Sequence, residues 1–210
     1  VVCRHVLEHL DDAAPLLIAM RDALAGGDPG LVYLEVPSWR ATLERDAFWD
    51  VLYEHVAYHD ADTLADLVRR HGFEVLEAGE AYGGQFATAI ARRGSWPAAA
   101  VAAAADAPDP PPVEGMAGDP AAVAAFAARE NAFVRGWRRW IAAHPPGERL
   151  VVWGAGTKGA VLLDRLGEHA GRIAAAIDLN PRKQGCFVAG TGTPILGPDA
   201  LAGLAPDVVL

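Results

Sequence analysis

The apolar positions of this chain switch between two periods, and the switching lays out its elements in order. Val1, Val2 and Cys3 form a short apolar run that reads as the end of a strand. A polar loop follows, Arg4-His5-Val6-Leu7-Glu8-His9-Leu10. Leu16, Leu17, Met20 and Leu24 then recur at helical spacing. Asp11 or Asp12 is expected to cap this helix, with Pro15 in its first turn and Gly26-Gly27 at its end. Leu31 to Val36 reads as a buried parallel strand stopped by Pro37. Leu64, Leu67 and Val68 mark a second helix, expected to start at an Asp62 cap and to stop at Gly72. Phe73 to Ala78 and Gln85 to Ala91 read as strands joined at Gly83-Gly84. This β-α-β-α-β-β order is that of the second half of a doubly wound sheet closing on an antiparallel strand.

Beyond residue 94 the pattern changes. Residues 95–119 are rich in Ala, Pro and Asp with little periodicity and read as a linker. Residues 120–143 predict a helix with an apolar stripe of Val123, Phe126, Phe133, Val134, Trp137, Trp140 and Ile141. From Arg149 a second α/β unit begins: a strand over 150–153, a glycine-rich turn over 154–159, a helix from Ala160 to Leu166, and a strand from Ile173 to Ile177 ending in Asp178. The expected organisation is a first domain over 1–94, the linker, a connecting helix within 120–146, and a partial Rossmann-like domain over 147–210. The apolar runs at both ends, Val1-Val2 and Val208-Val209-Leu210, predict a piece of a longer chain, with an exposed edge strand at Val1-Val2.

Composition narrows the classes of function. Of 210 residues, 52% are hydrophobic and 21% charged, the balance of a packed globular protein. A net charge of −9 argues against a nucleic-acid binder driven by phosphate contacts. The two cysteines, Cys3 and Cys186, make neither a disulfide scaffold nor a four-cysteine zinc site, and they suit a reducing, cytoplasmic setting. No long apolar span suggests a membrane.

Ligands of open α/β sheets bind beyond the carboxyl ends of the strands. Three segments fall there: the loop with His5 and His9, the long connection with Glu35, Trp39, Tyr53, Glu54 and His55, and the Gly83-Gly84 turn. Imidazoles, a carboxylate and phenols suit proton transfer near neutral pH. The pairs His5/His9 and His55/His59 have a spacing that can hold zinc on a helix. His5 precedes the expected cap and no third ligand is evident, so no metal is expected. His59 reads as structural, His71 and His144 as surface residues at helix ends, and Trp39, Phe48 and Trp49 as packing or a pocket wall. In the second unit, Gly154-Ala155-Gly156-Thr157-Lys158-Gly159 sits where a dinucleotide fingerprint belongs, with Asp178 in the place of a ribose-binding acid. Lys158, Arg182 and Lys183 suit a phosphate better, since a helix N-terminus already favours anions.

The opening segment from Val1 to Leu10 resembles the stretch after the fourth strand of class I S-adenosylmethionine methyltransferases. Later blocks narrow the resemblance: Tyr53-Glu54-His55, Tyr82-Gly83-Gly84-Gln85, Trp153 to Gly159, Asp178 to Gly185 and Gly190 to Ile195. In this order they resemble sugar C-methyltransferases acting on nucleotide-linked deoxyhexoses. The fold this implies is the C-terminal half of a class I methyltransferase Rossmann-like sheet, followed by a second, partial Rossmann-like domain. By that template the N-terminal zinc segment, the cofactor's glycine loop and the ribose-binding acid would lie outside this sequence.

The implied reaction is methyl transfer from S-adenosylmethionine to the carbon beside a keto group of a nucleotide-sugar, through an enolate. Carried over by position, the resemblance implies His9 and the Glu54-His55 pair as active-site residues, and the roles expected here are His55 as base, Glu54 orienting it, and His9 and Tyr53 as donors to the enolate oxygen. Arg4 and His5 are expected as cofactor contacts and Gly84 and Gln85 as substrate contacts, while Lys158, Arg182 and Lys183 are expected to hold substrate phosphates from their place at the helix N-terminus and the neighbouring strand end. The family tyrosine falls where this chain has Leu52, and the family histidine before the paired glycines is Tyr82. The alternatives are a methyltransferase acting on oxygen or a non-sugar acceptor, an NAD-dependent oxidoreductase using the Gly154–Gly159 turn, and a binding module without catalysis.

Overall fold

The computed structural model describes residues 1–25, 30–95, 101, 103 and 119–210. The expected stop at Gly26-Gly27 and most of the expected linker lie outside these residues. The chain divides into two compact units, Val1–Ala127 and Ala128–Leu210, the division falling inside the helix Pro120–Ala143 (α4).

The first unit is built on strands β1 (Val2–Arg4), β2 (Leu31–Pro37), β3 (Phe73–Ala81) and β4 (Phe86–Arg93), in the spatial order β1-β2-β4-β3. β1 pairs parallel with β2, placing Arg4 opposite Glu35. The hairpin strand β4 inserts antiparallel between β2 and β3, so Pro37 and Ala81 both face Phe86. That register brings the carboxyl ends of β1, β2 and β3 to one edge. Ala87, Ala89 and Ala91 alternate inward along β4 and meet Val32, Leu34 and Val36 of β2 in the core. Helices α1 (Ala14–Ala23) and α3 (Ala61–Arg70) add Leu17 and Met20, and Leu64 and Val68, to the same core.

The helix starts differ from the sequence reading by one or two residues. Asp60, not Asp62, caps α3: its carboxylate accepts from the Thr63 amide at 2.9 Å, while the Thr63 hydroxyl accepts from the Asp60 amide. Asp60 is the last extended residue, and an aspartate two positions later is already helical and cannot close this box. The cap position of α1 is Ala13, with the Asp12 carboxylate accepting from the Ala14 amide at 2.9 Å. His71 is not a surface residue but 5% exposed, its Nδ1 donating to the Leu67 carbonyl at 2.8 Å.

The connection over 38–60 is ordered internally. Ser38 caps a helix, α2 (Trp39–Glu44), its hydroxyl accepting from the Ala41 amide, and a 3₁₀ turn follows at Phe48–Asp50. Leu43 and Phe48 bury against Phe126, with the Phe48 and Phe126 rings 5.1 Å apart. Of the stripe expected on α4, Phe126 and Ile141 are buried, while Val123, Phe133 and Trp140 stay exposed.

The second unit has a four-stranded parallel sheet of β5 (Leu150–Trp153), β6 (Ile173–Ile177), β7 (Ile195–Leu196) and β8 (Val208–Val209), in the order β7-β6-β5-β8. This is the 3-2-1-4 order of a doubly wound sheet, with its switch point beside β5. The glycine turn after β5 leads into α5 (Thr157–Leu166). A Cβ on Gly159 would lie 1.9 Å from the Gly154 carbonyl oxygen, so the helix can approach the turn this closely only with glycine there. Among the described residues, no helix is long and apolar enough to cross a membrane.

Candidate active site

His5 and His9 leave β1 on a tight path. His5 takes a left-handed φ of 52°, a conformation costly for any residue with a Cβ. Its Nε2 then lies 3.2 Å from Glu35 and its Nδ1 3.5 Å from Glu8, and its ring meets Phe86 edge-on at 4.7 Å. Glu35 is 1% exposed at the end of β2. It accepts from Arg4 Nε at 2.8 Å and from the Tyr33 hydroxyl at 2.6 Å. Burial pushes the Glu35 carboxyl up, but the Tyr33 and Arg4 hydrogen bonds and the Arg4 and His5 charges outweigh it and hold the group below its ordinary range. The same bond, with burial, pushes the Tyr33 phenol up to about 12.

The long connection is clamped onto the first loop through backbone groups. Val56 and Ala57 amides donate to the Glu8 carbonyl at 2.8 and 3.2 Å. This brings His55 to His9, with ring centroids 4.9 Å apart and planes inclined at 70°. His9 Nδ1 donates to the Glu54 carbonyl and His55 Nδ1 to the Asp50 carbonyl, each at 2.8 Å. A carbonyl oxygen only accepts, so both Nδ1 atoms carry the hydrogen, and in the neutral ring Nε2 keeps the lone pair. The neutral tautomer of each histidine is thereby set. Glu54 does not orient His55 through its side chain as the sequence suggested. The Asp50 carbonyl does that, and Glu54 contributes its own carbonyl to His9.

The structure thus brings Arg4, His5, His9 and His55 to one edge, where Arg4 and His5 meet Glu35, His5 also meets Glu8, and His9 meets His55 ring to ring. Tyr53 lies on the same connection but is 96% exposed. Tyr82, Gly83 and Gly84 all take positive φ, at 52°, 67° and 90°, which the paired glycines adopt freely and Tyr82 adopts under strain. Arg4 lies 6.0 Å from the centroid of the Tyr82 ring, so the turn before Gln85 meets the β1 end. Sequence reasoning missed Glu8, which is 2% exposed. The available signal was a carboxylate between Leu7 and His9, at the carboxyl end of a strand.

In the second unit Asp178 has an internal task. The Asn180 amide, the Ala155 amide and Lys183 donate to it, and together they hold its carboxyl low against a smaller effect of burial. Lys183 also donates to the Ala155 carbonyl at 3.0 Å. Lys183 therefore braces the glycine turn, with its side chain 38% exposed. Lys158 and Arg182 are exposed.

Comparison with known proteins agrees with this architecture. Residues 1–78 match a family model described as a methyltransferase domain, and residues 81–210 match one described as the C-methyltransferase C-terminal domain. The chain is 28% identical over 218 residues to the C-methyltransferase NovU of Streptomyces niveus, covering 99% of this chain and 49% of that protein. It spans about half the length of this curated relative. With a methyltransferase domain first and the C-methyltransferase C-terminal domain over most of its length, the chain belongs to the C-methyltransferase family.

Proposed function

We propose that this chain serves an S-adenosylmethionine-dependent transfer of a methyl group to the carbon beside a keto group of a nucleotide-linked sugar. The observation that carries the reading is His55, whose Nδ1 hydrogen is fixed on the Asp50 carbonyl so that the neutral ring keeps its Nε2 lone pair, with the His9 ring beside it at the ligand edge. Methyltransferase families generally use S-adenosylmethionine. When bound, it supplies an electrophilic methyl on a cationic sulfonium. An edge lined by lone pairs and the buried carboxylates Glu8 and Glu35 fits a group that brings positive charge.

A proton beside a ketone is acidic enough for an imidazole base. In this reading His55 Nε2 accepts that proton, and the carbon's electron pair forms the new bond to methyl. His9 donates to the enolate oxygen from Nε2, which it can do only with both nitrogens protonated, beside the Glu8 carboxylate. The exposed Tyr53 hydroxyl is the second donor. Arg4 and His5 approach the methyl donor, and Gly84 and Gln85 approach the acceptor. In the second unit, Lys158 and Arg182 are the proposed contacts for nucleotide phosphates at the switch point. A cytoplasmic location follows from such soluble substrates.

Methyl-labelled S-adenosylmethionine and a nucleotide-linked 4-keto-deoxyhexose, incubated with the natural protein, test the reaction class. Carbon NMR of the product is expected to find the label on carbon. Label on oxygen would favour the O-methyltransferase reading.

A further inference from the structure

Three groups able to bind a cation meet at the end of β1. One ligand-capable atom each from Glu8, His9 and His55 lies within 4.8 Å of the other two. The Glu8 carboxylate is buried, and its Oε2 has no hydrogen-bond partner. A carboxylate oxygen shut away from water without a donor is costly, by about 1–3 kcal/mol or more. The adjacent imidazoles do not relieve it as neutral groups, because their hydrogens point to the Glu54 and Asp50 carbonyls. As neutral rings, His9 and His55 therefore offer Glu8 Oε2 no hydrogen, and His5 approaches the other oxygen, its Nδ1 3.5 Å from Glu8 Oε1.

We propose that Glu8, His9 and His55 form a binding site for a divalent transition-metal cation of the Zn²⁺ kind. Two imidazoles and one carboxylate are a donor set suited to such ions and poorly suited to Mg²⁺ or Ca²⁺. The backbone carbonyls on both Nδ1 atoms are the outer-shell contacts that orient metal-binding histidines. The Glu8 backbone also clamps the loop carrying His55, so the ligands from two distant segments are held together before an ion arrives. Glu8 supplies the third ligand that the histidine spacing alone lacked.

The site has a functional consequence that rests on the reading of His55 as base. A lone pair bound to a metal cannot accept a proton. Cation occupancy and proton abstraction therefore exclude one another, and the ion acts as an inhibitor.

Zn²⁺ titrated calorimetrically into the chelator-treated chain tests the site. A Cys186→Ser background removes the exposed thiol as a competing ligand. The expected result is one equivalent of bound Zn²⁺ whose affinity falls by at least about ten-fold in Glu8→Gln and in His9→Gln. His9 is exposed, so its variant keeps the test decisive even where the change at buried Glu8 disturbs folding. Equal stoichiometry and affinity in the parent chain and the His9→Gln variant would overturn the site. In the natural protein, added Zn²⁺ is expected to stop methyl transfer, and chelator supplied only in the amount of the added Zn²⁺ is expected to restore it. Zn²⁺ that binds through His9 yet leaves turnover unchanged would preserve the site and overturn His55 as the base.

Discussion

Replacing His55 with alanine is expected to lower turnover of the natural protein by about 10²–10⁴-fold, the usual contribution of a general base. At about 1.36 kcal/mol per decade this corresponds to roughly 3–5 kcal/mol of transition-state stabilisation. Affinity for the methyl donor should change little. The reason lies in how the ring is held. Its Nδ1 hydrogen is fixed on the Asp50 carbonyl, within its own connection, so removing the ring deletes a proton acceptor without releasing another element. Steady-state kinetics together with donor-binding calorimetry check both parts. A variant that keeps most of its turnover would make His55 a structural residue and pass the base role to His9.

The second large effect is on folding. Glu35→Ala is expected to destabilise the first unit by about 2–3 kcal/mol, measured by chemical denaturation. The change strands the Tyr33 hydroxyl and the inner face of His5, both of which now meet this carboxylate. The figure stays toward the lower end because Arg4 is about half exposed and water can replace its lost partner. The pH dependence has a definite sign. The folded Glu35 carboxyl titrates lower than it would in the unfolded chain. Its contribution is therefore complete above the ordinary carboxylate value of about 4.3 and is lost as pH falls through the folded value. Tyr33 works the opposite way: with its phenol raised to about 12, its contribution holds below about 10 and is lost between those values. Glu35→Gln should flatten the acid limb of the stability curve. An unchanged acid limb in that variant would show that the Glu35 network does not contribute as described.

Much of this architecture was legible because it is written in local patterns. The helical spacing of Leu64 and Val68, the apolar run of β2 and the paired glycines before β4 each specify their element within a few residues. The rule that ligands sit beyond strand ends then gathered His5, His9 and His55 correctly, since it needs only strand directions. What escaped notice depends on contacts between distant segments. Glu8 reads as a polar loop residue, and its burial follows from the 56–57 backbone docking onto its carbonyl. Lys183 reads as a free cation until Asp178 and Ala155 are seen beside it. The pairing of Glu54 with His55 looked natural from adjacency. The orienting group is instead a backbone carbonyl five residues upstream, at Asp50. The β4 insertion between β2 and β3 is likewise a matter of register that no single run of residues announces.

The central claim is that a histidine at this edge removes a proton from carbon. Proton NMR can follow the hydrogen beside the keto group of a nucleotide-linked 4-keto-deoxyhexose in D₂O, with the natural protein and the demethylated donor present. The account predicts that this hydrogen is exchanged for deuterium by the parent protein and that His55→Ala slows the exchange by at least about a hundred-fold. Equal exchange in the two proteins, or none above the uncatalysed rate in the parent, would contradict it.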